Sequence, residues 1–244
     1  MVPQNGTLIY NHDDEVLRQV CASVTVPKKC AYTVPPHSIE NGKTYLQTDY
    51  GDIPLMIFGK HNLANLNAAR LACIAAGVKE QDFYEAMTTF KGASKRLELV
   101  AENDRFTVYK DFAHSPSKVK ATIEAVKEQY PDKKLVACLE LHTFSSLNEK
   151  FLAEYRGSTD QADTAIIYFN EKAVEHKKLP PLTPDIIYRT FGNDRLEIFN
   201  DSEKLIDRII SLGSSPSVFL FMSSGNFNGV NLNNLVNKFV LLQP

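Results

Sequence analysis

The sequence lacks a surplus of positive charge, a long apolar run and a closely spaced cysteine pair, and each absence removes a class of function. With 27 Lys and Arg against 29 Asp and Glu, the net charge of -2 offers no broad basic surface for nucleic acid. No apolar stretch approaches the length that spans a bilayer, so neither nucleic acid nor membrane is expected as a partner. Cys21, Cys30, Cys73 and Cys138 stand far apart with no Cys-x-x-Cys pair, so they read as free thiols rather than a disulfide framework or a zinc site. Gln4, Asn5 and the polar run from Asn11 to Glu15 interrupt any signal-peptide core, and a cytoplasmic address is expected. No internal repeat or low-complexity segment is evident.

What is present is a chain of 244 residues, 43% hydrophobic, long enough for one large domain or two small ones. Thr7 to Tyr10 is a short β-rich run, and Asp13-Asp14-Glu15 opens a helix with Val16, Leu17 and Val20 on one side. Tyr32 to Val34, Lys43 to Thr48 and Ile53 to Phe58 read as strands, with Asn41-Gly42 as a hairpin turn. A helix over Lys79 to Phe90 follows, ended by Gly92.

From Arg96 the pattern alternates regularly. Strands are expected at Phe106 to Tyr109, Leu135 to Leu139, Ala165 to Phe169, Leu196 to Phe199 and Val218 to Met222. Helices are expected at Pro116 to Tyr130, Glu149 to Tyr155, Asp185 to Phe191, Ser202 to Leu212 and Leu232 to Val240. Such alternation predicts a parallel sheet and a Rossmann-like α/β domain. In the Pro116 helix, Ser115 is placed to cap and Val119, Ile123, Val126 and Tyr130 form one apolar stripe. The domain boundary is placed near Ser94, giving segments 1–94 and 95–244.

The stretch Gly59-Lys60-His61-Asn62-Leu63-Ala64-Asn65 carries chemistry. Asn62 and Asn65 are three apart and share a helix face, where a carboxamide pairs a donor and an acceptor with a base edge such as that of adenine. The same amides also suit the capping of a helix N-terminus. Asp111 closes a predicted strand at the edge where open α/β sheets hold ligands. Capping of the local turn is its alternative role, with His114 bonding locally. His142, Thr143 and Ser145 follow the next strand, and Ser223, Ser224 and Asn226 follow the last.

Lys91-Gly92-Ala93-Ser94-Lys95-Arg96-Leu97-Glu98, followed by Asp111-Phe112-Ala113-His114-Ser115-Pro116-Ser117, resembles the Mur ligase family of peptidoglycan enzymes in order and spacing. Met222-Ser223-Ser224-Gly225-Asn226-Phe227 is similar to the small-residue loop of one branch, the murein peptide ligases. The resemblance covers nearly the whole chain. It implies a Rossmann-like C-terminal domain preceded by the last part of a central ATPase domain. It also implies an amide-forming ligase that joins UDP-N-acetylmuramate to the tripeptide L-alanyl-γ-D-glutamyl-meso-diaminopimelate in cell-wall recycling.

The nucleotide contacts implied are His61, Asn62, Asn65, Arg96, Asp111 and His114, with Arg96 as the catalytic guanidinium on the transferring phosphate. His142, Thr143, Ser145, Ser223, Ser224 and Asn226 are implied to contact the incoming amino acid or peptide. In the L-alanine-adding relative the comparable loop carries arginine and tyrosine where this chain has Thr143 and Phe144, so L-alanine stays open as the substrate. A non-catalytic Mur-type binding module also stays open.

A complete family member needs the phosphate loop Gly-x-x-x-x-Gly-Lys-Ser/Thr, and this sequence has none: His37 stands where Gly42-Lys43-Thr44 would require the first glycine. The resemblance implies ATP and Mg2+ in the full-length enzyme, with the metal ligands and the UDP-binding domain upstream of the portion matched. On this reading the chain is inactive alone and its partner is the missing N-terminal half.

Overall fold

Regular structure begins at β1 (Thr7–Asn11), after which the Asp14 carboxylate accepts the Leu17 N–H at 2.9 Å and fixes the start of α1 (Glu15–Ser23). The computed structural model describes residues 2, 3, 5–193, 195–214 and 216–241. Its contacts divide the chain into two units, Met1–Lys91 and Gly92–Pro244.

In the first unit, β2 (Lys28–Tyr32) pairs parallel with β1. β3 (His37–Glu40), β4 (Lys43–Thr48) and β5 (Gly51–Leu55) form an antiparallel sheet. Asn41 and Gly42 both have positive φ, +50° and +73°, as the tight two-residue hairpin anticipated there requires. α2 (Lys60–Ala75) and α3 (Glu80–Met87) complete the unit, and Leu46, Leu55, Leu63, Leu66 and Phe83 form its core.

Two expectations are corrected here. The strand placed at Tyr32 to Val34 ends at Tyr32, since Thr33 and Val34 run into Pro35 and Pro36, which have no N–H for a ladder. The strand expected to reach Phe58 stops at Leu55, which pairs with Thr44, one residue from the start of β4 at Lys43. The apolar side of α1 is not buried: Val16, Leu17 and Val20 are exposed, and Cys21 is the buried residue of that helix.

The second unit runs β6 (Glu98–Glu102), β7 (Phe106–Asp111), α4 (Pro116–Gln129), β8 (Lys134–Leu141), α5 (Glu149–Leu152), β9 (Thr164–Phe169) and α6 (Glu171–His176). It continues with α7 (Pro184–Phe191), β10 (Leu196–Phe199), α8 (Ser202–Ser211), β11 (Ser217–Met222) and α9 (Leu232–Leu241). The strand order is β10-β9-β8-β11-β7-β6, and five strands are parallel. β6 is an antiparallel edge strand that the alternation did not disclose, and its pairing with β7 is interrupted by a bulge between Leu99 and Ala101.

Val119, Ile123 and Val126 of α4 are fully buried, each contributing about 1.5–3 kcal/mol of apolar transfer. Ser115 does occupy the N-cap of α4, but its side chain makes no capping bond. Leu205 and Ile209 of α8 and Leu235 and Phe239 of α9 pack with Val108, Cys138, Ile166 and Phe219 of the sheet. The carboxyl ends of β7, β11 and β8 lie side by side, with Asp111 opposite Met222 and Met222 opposite Leu139.

Candidate functional site

At the start of α2, Gly59 (φ +87°) turns the chain into the helix, and its carbonyl accepts the N–H groups of Asn62 and Leu63. Asn62 is half-buried and its Nδ2 donates to the Phe58 carbonyl at 2.9 Å, which leaves Oδ1 for other partners. Asn65 is exposed, and its carboxamide bonds no described residue. The two amides therefore differ. Asn62 secures the strand-to-helix turn, whereas Asn65 presents a whole amide edge. His61 is half-buried and already engaged.

In the second unit, Asp111 is 5% exposed and fastens two backbone segments: Oδ2 accepts the Leu97 N–H at 2.7 Å and Oδ1 the Ala113 N–H at 2.6 Å. Lys95 and Leu97 are held at φ +56° and +44°, a region that costs L residues energy, so this carboxylate holds a strained turn. Arg96 sits at the crest of that turn, exposed, with no salt bridge among the described residues. Glu98 does not take it. That carboxylate accepts from Lys110 Nζ and the Lys95 N–H, both at 2.8 Å, and these bonds hold its pKa below the usual carboxylate range.

His114 Nδ1 lies 2.7 Å from the Phe112 carbonyl, which can only accept, so Nδ1 carries a proton and donates it. The Tyr155 hydroxyl donates to the His114 carbonyl.

Where β8 and β11 end, a buried acid that sequence reasoning missed organises the loops. Glu140 is 3% exposed and accepts from the Ser223 hydroxyl and from the Phe227 N–H, the latter at 2.9 Å. The Ser223 Oγ in turn accepts the Gly225 N–H at 2.6 Å. His142 Nδ1 stands 3.8 Å from Glu140 Oε1. A Cβ on Gly225 would lie 2.8 Å from Glu140 Oε2 and 2.9 Å from His142 Cγ, so the loop passes where only glycine fits. The signal was available: one carboxylate in the otherwise apolar run Leu135 to Leu141. Its charge adds to burial in pushing the Cys138 thiol and the Tyr168 hydroxyl up.

The hydroxyls expected to meet substrate are partly occupied. Thr143 Oγ1 is 3.1 Å from Ser145 Oγ and accepts from Ser146, and the Thr143 N–H donates to Ser146 Oγ at 2.9 Å. Ser223 is buried and supports the loop. Ser224 Oγ is buried without a hydrogen-bond partner, and Asn226 is exposed, with Oδ1 accepting the Gly229 N–H. Asp111, Ser223 and Asn226 border one cavity of about 430 Å³, which Lys95, Lys110 and Phe221 also line. His142 joins them through Glu140, while His61, Asn62 and Asn65 belong to the first unit. Among the described residues no group of three or more His, Cys, Asp or Glu is placed to hold a metal ion.

Comparison with known proteins finds that residues 95–225, more than half of the chain, match the family described as Mur ligase, glutamate ligase domain. The chain belongs to the Mur ligase family. One relative is the UDP-N-acetylmuramate–L-alanine ligase of Caldicellulosiruptor bescii, 29% identical over 243 residues, covering 93% of this chain and 52% of the relative. Another is the ligase of the same name from Desulfitobacterium hafniense, 32% identical over 120 residues, or 49% of this chain and 26% of that protein.

Among solved structures, a UDP-N-acetylmuramate-alanine ligase from Thermotoga maritima matches with a TM-score of 0.70 and 16% identity, over 96% of this chain and 52% of the other. A murein peptide ligase from Psychrobacter arcticus matches with a TM-score of 0.63 and 19% identity, over 100% and 53%. These likenesses establish the Mur ligase fold. The chain spans about half, or less, of the length of these Mur ligase relatives.

Proposed function

We propose that this chain is the acceptor-binding portion of an ATP-dependent ligase that joins UDP-N-acetylmuramate to L-alanyl-γ-D-glutamyl-meso-diaminopimelate in the cytoplasm. The observation that carries the reading is the meeting of Asp111, Ser223 and Glu140 at one sheet edge, within the segment that matches the family. Residues 1–94 are assigned to the end of the central ATPase domain and 95–244 to the C-terminal domain. In the complete enzyme ATP would pass its terminal phosphoryl group to the muramate carboxylate and leave as ADP, and the acceptor amine would attack the acyl phosphate, form the amide with loss of a proton and expel inorganic phosphate.

Each unit, taken by itself, keeps an unengaged donor whose chemistry suits a nucleotide contact. Asn65 offers a free amide edge for the base, and the exposed Arg96 guanidinium offers a partner for phosphate charge. Asp111, with an N–H on each oxygen, acts toward the nucleotide mainly by positioning Arg96. The phosphate loop and the Mg2+ ligands are supplied by the half of the enzyme for which this sequence has no motif, so the chain does not complete the reaction alone.

The small-residue loop Met222 to Phe227 supports the tripeptide as acceptor. A second reading, L-alanine as acceptor, is favoured by the names of the sequence relatives. Calorimetric titration of the chain with each compound tests the choice: saturable tripeptide binding supports the first reading, selective L-alanine binding replaces it with the second, and binding of neither means that the site needs the other half of the enzyme or that the fold serves a non-catalytic role.

A further inference from the structure

The loop after β8 satisfies its own hydroxyls, through the bonds among Thr143, Ser145 and Ser146. What it leaves exposed is an aromatic ring. Phe144 is 63% exposed, and the Lys177 ammonium lies 4.8 Å from its ring centroid. Lys177 is half-buried at the C-cap of α6 and makes no salt bridge among the described residues. The two side chains come from neighbouring positions of the ligand edge, since β8 and β9 are paired and α6 starts directly after β9.

A lysine fixed over an aromatic face, without a counter-ion, holds an ammonium in place for an incoming anion. The face beside it is a platform for methylene groups. The platform adds nothing for L-alanine, which has one carboxylate and no alkyl stem.

We propose that Phe144 and Lys177 form a subsite for a carboxylate carried on a flexible alkyl stem, as in an acidic amino acid or a peptide containing one. The inference rests on the acceptor-binding reading above and deepens it, because the proposed tripeptide carries carboxylates distal to its attacking amine and this subsite would select for them.

The test uses the full chain labelled with 13C at the lysine ε-carbon and titrated with glutarate, a dicarboxylate on an alkyl stem. The Lys177 signal, assigned by its loss in Lys177→Arg, is expected to move saturably. Phe144→Ala should weaken glutarate binding by about three- to tenfold. By calorimetry, Lys177→Glu should weaken tripeptide binding by a similar factor and leave L-alanine binding unchanged. A Lys177 signal that glutarate does not move overturns the subsite, as does equal tripeptide affinity in wild type and Lys177→Glu. Saturable glutarate binding at Lys177 in a chain that takes L-alanine and refuses the tripeptide upholds the subsite and overturns the tripeptide reading instead.

Discussion

The Ser223 hydroxyl donates to the Glu140 carboxylate across the ends of two neighbouring strands, and this bond ties the loop after β11 to β8. Removing the acid would leave Ser223 and the Phe227 N–H without their acceptor in a buried place. Glu140→Ala should therefore destabilise the second unit by about 2–4 kcal/mol, measured by urea unfolding. Loss below 1 kcal/mol would show that water replaces the carboxylate without strain.

Gly225→Ala should act on the same loop by overpacking. The added methyl meets Glu140 and His142 at under 3 Å, so a cost of about 1–3 kcal/mol is expected. Altered amide shifts at residues 223–227 in an NMR spectrum should accompany it, and an unchanged spectrum would count against the contact.

Asn62 and Asn65 should separate on substitution. Asn62→Ala removes the bond to the Phe58 carbonyl and should lower stability by about 1 kcal/mol. Asn65→Ala should leave the melting temperature in place and weaken ATP binding by calorimetry, since an exposed polar helix residue costs little to truncate. Unchanged ATP affinity in Asn65→Ala would remove it from the nucleotide site.

Glu98 sets a pH dependence. Its hydrogen bond to Lys110 and the Lys95 N–H depress its folded pKa below the unfolded value, so its contribution is present above the unfolded pKa and lost as pH falls through the folded one. Stability should thus decline as pH drops below about 4.3, the ordinary glutamate value, and Glu98→Gln should flatten that limb. An identical acid limb in the variant would assign the decline to other carboxylates.

In an enzyme completed by the phosphate-loop half, Arg96→Ala should lower kcat more than it raises KM for the acceptor, because a phosphate contact acts chiefly in the transition state. Unchanged kcat would exclude Arg96 from the phosphate.

Most strands and helices after Arg96, though not the short helix Glu171–His176, were legible because each combines a periodic apolar pattern with a local stop signal. Val119, Ile123 and Val126 announce one face of α4, and the apolar run of β11 announces a strand buried on both sides. The antiparallel β6 was not legible, since Glu98 to Glu102 has no clean alternation and is a strand by virtue of pairing with β7. The exposure of Val16, Leu17 and Val20 was likewise unreadable, because an apolar stripe says that a face exists and not what covers it.

By itself the sequence determined the family, most of the strand-and-helix alternation after Arg96 and the edge of the sheet to which Asp111, His142 and Ser223 belong, because motif spacing and strand-to-helix alternation are properties of the chain read along its length. Only the tertiary structure decided which of those groups are available. It engaged both Asp111 oxygens, turned the loop hydroxyls on one another and placed Glu140 behind Ser223 and His142. It also set Lys177 over Phe144, 33 residues later in the chain. Hydrogen bonds and charge pairs join residues that are distant along the chain, and a local pattern carries no record of a partner that folding alone brings within reach.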